Sequence, residues 1–150
     1  MEIFDELKIP CVYRAIPLET AHGYKFVYGS LVIMECCKTP FSKNNEENFL
    51  CFILSRKPDG IADWGLPYPT VHYTIDKETI DFFTGIFDKN GQPVFTSDYI
   101  QFDKNETIYK IYYNKELGII EFVDLNNRVK GNFSENQFSN FIVVGNAYYD

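Results

Sequence analysis

The chain has 150 residues, of which 45% are hydrophobic and 17% aromatic, and a formal net charge of −7. That length suits one domain over residues 1–150, with a core that needs neither disulfides nor metal to hold it. Nucleic-acid binding requires clustered Lys and Arg, and the densest basic spots are only Arg56-Lys57 and Arg128-Val129-Lys130, so no nucleic-acid partner is expected.

Met1 to Leu7 offers one or two helical turns, with Ile3, Phe4 and Leu7 on one face, and Pro10 ends that option. Cys11 to Ile16 reads as a short strand. Tyr24 to Cys37 is apolar-rich, and Gly29 in its middle marks a bulge, a bend or a close backbone contact. Lys38 to Glu47 is polar and turn-forming, as the loop of a hairpin would be. Phe49 to Ser55 is a continuous apolar run, expected to be a central strand buried on both faces. Arg56 to Thr70 is irregular, with a Pro58-Asp59-Gly60 turn signal and two prolines, Pro67 and Pro69, that cannot donate to a ladder.

Val71 to Thr74 reads as a strand and Asp76 to Thr79 as a turn or a single helical turn. Phe82 to Ile100 follows, FFTGIFDKNGQPVFTSDYI, in which two apolar-aromatic runs flank Asp88-Lys89-Asn90-Gly91. Asn90 and Gly91 tolerate positive φ, so a tight type I′ hairpin is expected there. Tyr99 to Phe102, Thr107 to Tyr113 and Ile119 to Asp124 read as a meander, and Asn126-Asn127 turns into Val129-Lys130-Gly131. Ser134 is a candidate N-cap for a short helix over Glu135 to Phe138, and Phe141 to Val144 is the last strand. Strands at this spacing, with turn residues between them, predict a mainly β, antiparallel barrel or sandwich-like domain with one or two short helices.

The N-terminus lacks the basic start and apolar run of a signal peptide, and no apolar stretch is long enough to span a bilayer as a helix. A cytoplasmic location without membrane association is therefore expected. Cys11, Cys36, Cys37 and Cys51 form no CxxC pair and read as reduced, buried thiols, so no metal site is expected. Asp88-x-Asn90-Gly91 fails as a calcium loop, because Ile86 and Ser97 would occupy its two end positions.

Four places, in order, resemble the YopX-like family of phage and prophage proteins. They are Tyr13-Arg14-Ala15; Gly23 to Leu31, similar to its "G-WVYG-L"; Asp76 to Ile80 through Thr84-Gly85 to Asp98-Tyr99-Ile100, similar to "D-ETVGQYTGL-DKNG--IFEGDIV"; and Val144 to Tyr148, similar to "-IGNIY-". The departure is Thr96-Ser97, where the family favours Glu-Gly; the lost glycine implies an unstrained backbone or a different local turn. The resemblance implies a largely β fold, a phage or prophage origin, a bacterial host cytoplasm and a homo-oligomer. It carries no catalytic residue and no cofactor.

A nucleophile needs a base within reach, and His22 and His72 are the only histidines. His22 reads as a loop residue and His72 as a strand residue, so no catalytic set is assigned. The binding candidates are Arg56, Trp64, Tyr68 and His72, on or beside the irregular segment, because loops on a rigid scaffold carry binding. Trp64 reads as a core plug in preference to an interface anchor. Two functions fit these features: a non-enzymatic accessory protein that binds a host protein, such as a defence or metabolic component, or a binder of a small ligand such as a nucleotide. A hydrolase is the third.

Overall fold

The computed structural model describes residues 12–19, 25–35, 49–56, 70–104, 106–133 and 140–149. The fold is mainly β and antiparallel, and the chain divides into two compact units, one over Val12–Ile80 and one containing Asp81–Asp150. The expected helices near Met1 and at Glu135 to Phe138, the Lys38 to Glu47 loop, Cys11, Cys36 and Cys37 lie outside the described residues.

In the first unit, β1 (Tyr13–Ala15), β2 (Val27–Glu35), β3 (Phe49–Arg56) and β4 (Thr70–Thr74) lie in the order β4-β3-β2-β1. Ala15, Val27, Ile53 and Ile75 are its buried core, with Tyr13, Leu31, Cys51, Tyr73 and Ile80 packed against them. Cys51 is a free, half-buried thiol. Arg14 is buried as well, its guanidinium carbon 4.5 Å above the Phe26 ring. Asp76 caps a 3-10 turn, Lys77–Thr79, by accepting from the Glu78 N–H at 3.1 Å. Thr79 Oγ1 accepts from the Ile16 N–H at 2.9 Å, tying that turn to the segment after β1.

The second unit holds the hairpin β5 (Asp81–Phe87) and β6 (Pro93–Phe95). A five-stranded sheet follows, built from β7 (Asp98–Phe102), β8 (Ile108–Asn114), β9 (Ile119–Asp124), β10 (Val129–Asn132) and β11 (Phe141–Asn146) in the order β10-β9-β8-β7-β11. Ile86 and Val94 of the hairpin pack on Ile100, Ile111, Phe133 and Phe141, a sandwich-like arrangement with two layers sharing one core. The five-stranded sheet ends at β10 and β11, so it is open and not a closed barrel. Phe102, Tyr109 and Phe122 meet edge-on at centroid distances of 5.4 to 5.8 Å, which is where much of the aromatic content goes.

Three expectations are corrected. First, β3 is central, between β2 and β4, yet only one of its faces is buried: Ile53 is fully enclosed, whereas Leu50 and Leu54 are exposed. Second, the hairpin at Asn90-Gly91 is not type I′, because Gly91 alone takes a left-handed φ, +78°, and Asn90 does not. The Gly91 N–H donates to the Asp88 carbonyl (3.0 Å) and the Asp88 N–H to the Gln92 carbonyl (2.8 Å), a three-residue connection in which Gly91 supplies the left-handed step. Third, Ser97 has φ +67°, so the turn before Asp98 keeps the left-handed conformation that suits glycine, although serine stands there.

Candidate functional site

Cross-strand partners share a sheet face, as do residues two apart along a strand. The pairings Ser30↔Leu54↔His72, Val32↔Phe52↔Thr74 and Met34↔Leu50 therefore lie on one face of β2, β3 and β4. Of the alternate residues, Leu31, Cys51, Ile53 and Tyr73 turn to the core, whereas Ile33, opposite Cys51, is exposed. The outward face thus carries Val32, Met34, Leu50, Phe52 and Leu54, with Ser30, His72 and Thr74 along two of its rows. Met34 is 52% exposed, Leu50 42% and Leu54 37%. The next row of the same face is Arg56↔Thr70, so an arginine position borders the apolar residues.

Gly29 lets β2 approach β3 closely: a Cβ there would stand 2.2 Å from the Leu54 carbonyl oxygen. The Ser55 hydroxyl donates to the Tyr28 carbonyl beside it. Gly29 is thus the close backbone contact expected of a glycine inside a strand.

Of the four binding candidates, the structure brings two onto neighbouring strands. His72 is exposed on β4, its ring 5.7 Å from Phe52 in an edge-on contact, and the Arg56 backbone pairs with Thr70, two residues along from the Leu54↔His72 pair. Trp64 and Tyr68, like His22, lie outside the described residues. Sequence reasoning missed the apolar face itself. Its signal was present in the alternation of Val32 with Met34 and of Leu50, Phe52 and Leu54, but equally apolar residues between them masked it.

The buried acids of the second unit hold structure together. Thr96 Oγ1 donates to Asp81 Oδ1 (3.1 Å) and accepts from the Phe82 N–H (3.2 Å), while Asp98 Oδ2 accepts from the Phe95 N–H (2.8 Å). Asp88 Oδ1 accepts from the N–H groups of Asn90 and Gln92, and its Oδ2 from that of Val143 at 3.1 Å. Both carboxylate oxygens of Asp88 therefore serve backbone donors, as a turn requires and a calcium loop does not. A shallow hollow of about 410 Å³ is lined by Gln101, Phe102, Asp103, Lys104, Glu106 and Ile142. Its two carboxylates oppose a phosphate, and Lys89 already pairs with Asp103 beside it.

The described residues thus define a mainly β, antiparallel protein with exposed apolar residues on one sheet face. A family model described as YopX protein matches residues 62–150, more than half of the sequence, and the chain belongs to that family. The matched residues include β4 and all of Asp81–Asp150. They contain the Asp76 to Ile100 and Val144 to Tyr148 places read from the sequence, while Tyr13 to Ala15 and Gly23 to Leu31 lie before them. No curated protein matches the chain. Among the described residues no helix is long and apolar enough to cross a membrane.

Proposed function

We propose that this protein is a non-enzymatic accessory protein, encoded by a phage or prophage, that acts in the bacterial host cytoplasm by binding a host protein on the β2–β3–β4 face. The supporting observation is the face itself: Met34, Leu50 and Leu54 are exposed on it, while Leu31, Cys51, Ile53 and Tyr73 on the other side belong to the core. Exposed contiguous apolar surface on a folded domain marks interaction sites more often than isolated apolar residues do. The acidic balance of the whole chain suits a basic partner, because opposite net charge favours the encounter.

The test is capture of host proteins from a lysate by wild-type chain and by Met34→Lys and Leu54→Lys. Both positions are exposed, so each variant should change stability by less than about 1 kcal/mol. A partner retained by wild type and weakened about tenfold or more by both variants supports the reading. Equal retention by all three chains overturns it.

A further inference from the structure

The side-chain carbonyl carbon of an asparagine can close a five-membered ring with the backbone nitrogen of the next residue, and a Cβ on that residue obstructs the approach. Asn90-Gly91 is the single Asn-Gly step in the chain, and Gly91 has no Cβ. Both residues are exposed at the tip of the β5–β6 hairpin, where backbone opens most readily. A Cβ built on Gly91 would meet nothing within 4 Å, so no neighbour crowds the tip. Among the described residues no hydrogen bond holds the Asn90 side-chain amide; Asn90 is engaged through its backbone N–H alone. One contact restrains the nitrogen: the Gly91 N–H donates to the Asp88 carbonyl at 3.0 Å and must leave it before the ring can close. Asn126 and Asn127 are exposed in a turn as well, but Asn127 and Arg128 follow them, and their Cβ atoms hinder the same reaction.

We infer that Asn90-Gly91 is a self-modification site, at which deamidation converts the hairpin tip to an isoaspartyl link and releases β11 from Asp88. When the Gly91 N–H leaves the Asp88 carbonyl, the Gly91 nitrogen bonds to Asn90 Cγ. The Cγ–Nδ2 bond breaks, and ammonia departs with the proton that Gly91 loses. Water then opens the succinimide ring at either of its carbonyls. Attack at the backbone carbonyl leaves the chain running through the former side chain, as isoaspartate; attack at Cγ leaves ordinary aspartate. The sum is ammonia lost and water gained, with no change of oxidation state and no co-reactant besides water.

The isoaspartyl product matters because of what Asp88 holds. Its Oδ1 accepts from the Asn90 N–H at 2.8 Å and the Gln92 N–H at 2.9 Å, and isoaspartate inserts one methylene into the main chain between those two donors. One oxygen cannot keep both across the longer link, and the Asp88 N–H bond to the Gln92 carbonyl spans the same insertion. The other oxygen of that carboxylate accepts from the Val143 N–H at 3.1 Å, and the Lys89 N–H donates to the Phe141 carbonyl at 3.1 Å. Loosening the turn therefore reaches β11 directly. The new carboxylate also places a second negative charge beside Asp88, where Lys89 already pairs with Asp103. The inference stands on this turn and is independent of the binding reading above.

The test incubates the full chain in mildly alkaline buffer, which favours the attacking nitrogen, beside a synthetic peptide of residues 82–97 as the unfolded reference. Peptide mapping by mass spectrometry follows the change from amide to acid, and an endoproteinase that cuts before aspartate but not isoaspartate separates the two products. We expect Asn90 to convert in the folded chain about tenfold more slowly than in the peptide, because the turn must first open, and Asn126 and Asn127 to stay intact. In the purified isoaspartyl fraction the Val143 amide should exchange with solvent about tenfold faster than in the unmodified chain. Asn90→Asp, which carries the charge without the longer backbone, should keep Val143 exchange within about twofold of wild type. An Asn90 that stays intact while the peptide converts completely, or conversion of Asn126 or Asn127 as fast as that of Asn90, overturns the site. An isoaspartyl fraction whose Val143 amide exchanges as in the unmodified chain, or an Asn90→Asp variant that exchanges as fast as that fraction, overturns the release of β11 by the altered backbone.

Discussion

Gly29 lies so close to Leu54 on the neighbouring strand that a Cβ would stand 2.2 Å from the Leu54 carbonyl oxygen and 3.0 Å from its carbon. The obstacle is backbone within a paired ladder, so it cannot rotate aside as a side chain would. Gly29→Ala should therefore force β2 from β3 and destabilise the first unit by about 3 kcal/mol, the upper range for overpacking. Chemical denaturation checks this, and loss of the apolar face should accompany it, because Leu54 belongs to that face. A stability change under about 0.5 kcal/mol would show that the strands separate freely there.

Ser97 takes φ +67° in the turn between β6 and β7. Left-handed backbone is unfavourable for an L-residue by roughly 1–2 kcal/mol, and glycine recovers part of this at the expense of a more flexible unfolded chain. The side chain returns little, since its nearest partner, the Tyr148 hydroxyl, is 3.5 Å away. Ser97→Gly should stabilise the protein by about 0.5–1 kcal/mol. A denaturation midpoint that falls on this substitution would mean that the Ser97 hydroxyl contributes more than the backbone strain.

The contrast between Ser97 and β3 shows what the sequence could reveal. Strand positions were legible because turn residues such as Asn127, with φ +59°, and Gly118, with φ +66°, separate short aromatic runs. The direction of β3 was not, because Leu50 to Leu54 is apolar at every step, and period-two alternation carries no signal when both phases are alike. The tightness of the Asp88 turn was legible but its type was not. Asn-Gly favours two left-handed residues, whereas here Asp88 binds the N–H groups of Asn90 and Gln92 and leaves Gly91 alone in that region. Ser97 was misread since an absent glycine says nothing when the fold imposes the conformation anyway. Of the candidate site, only His72 was found with its surroundings; the apolar face emerged from the β2–β3–β4 register, which a sequence does not print.

Asp88 joins two distant parts of the second unit, because its Oδ1 organises the hairpin turn while its Oδ2 accepts from Val143, 55 residues away. Asp88→Ala leaves three backbone N–H groups without their acceptor and uncaps the β11 edge. The expected loss is about 3 kcal/mol, from charge-assisted bonds worth roughly 1.5–3 kcal/mol each, softened by water reaching the turn. Asp88→Asn should recover part of that loss. Hydrogen exchange should report it locally, with the Val143 amide the first to lose protection.

Glu121 is buried on β9, and its Oε2 has no hydrogen-bond partner, while its Oε1 accepts from Asn114 Nδ2 at a long 3.5 Å. An unsatisfied buried carboxylate oxygen destabilises a fold by more than the loss of an ordinary hydrogen bond. Replacing it with an apolar group of similar length should relieve this, so Glu121→Met is expected to raise stability by about 1 kcal/mol. A lower melting temperature would show that the carboxylate is better accommodated than its partners indicate.

Asp124 ends β9 and organises the next turn, accepting at Oδ1 from the N–H groups of Arg128 and Asn126, both at 2.9 Å, with Lys130 Nζ 3.5 Å from Oδ2. The Arg128 N–H, opposed by some desolvation and aided by the Asn126 N–H and Lys130, holds the carboxyl below its ordinary range. In the unfolded chain those donors are gone and the group returns to its usual value. Between the two values the unfolded state binds more protons, so stability rises with pH across that window. The contribution is complete above the ordinary carboxylate range and is lost as pH falls through the depressed value. NMR titration of the side-chain carboxyl should give a midpoint below that of a model peptide, and the Arg128 amide should shift in the same step. Asp124→Asn keeps an acceptor oxygen for the turn but removes the titration, so it should flatten this part of the acid-stability profile. An unchanged profile in that variant would assign the acid sensitivity to other carboxylates.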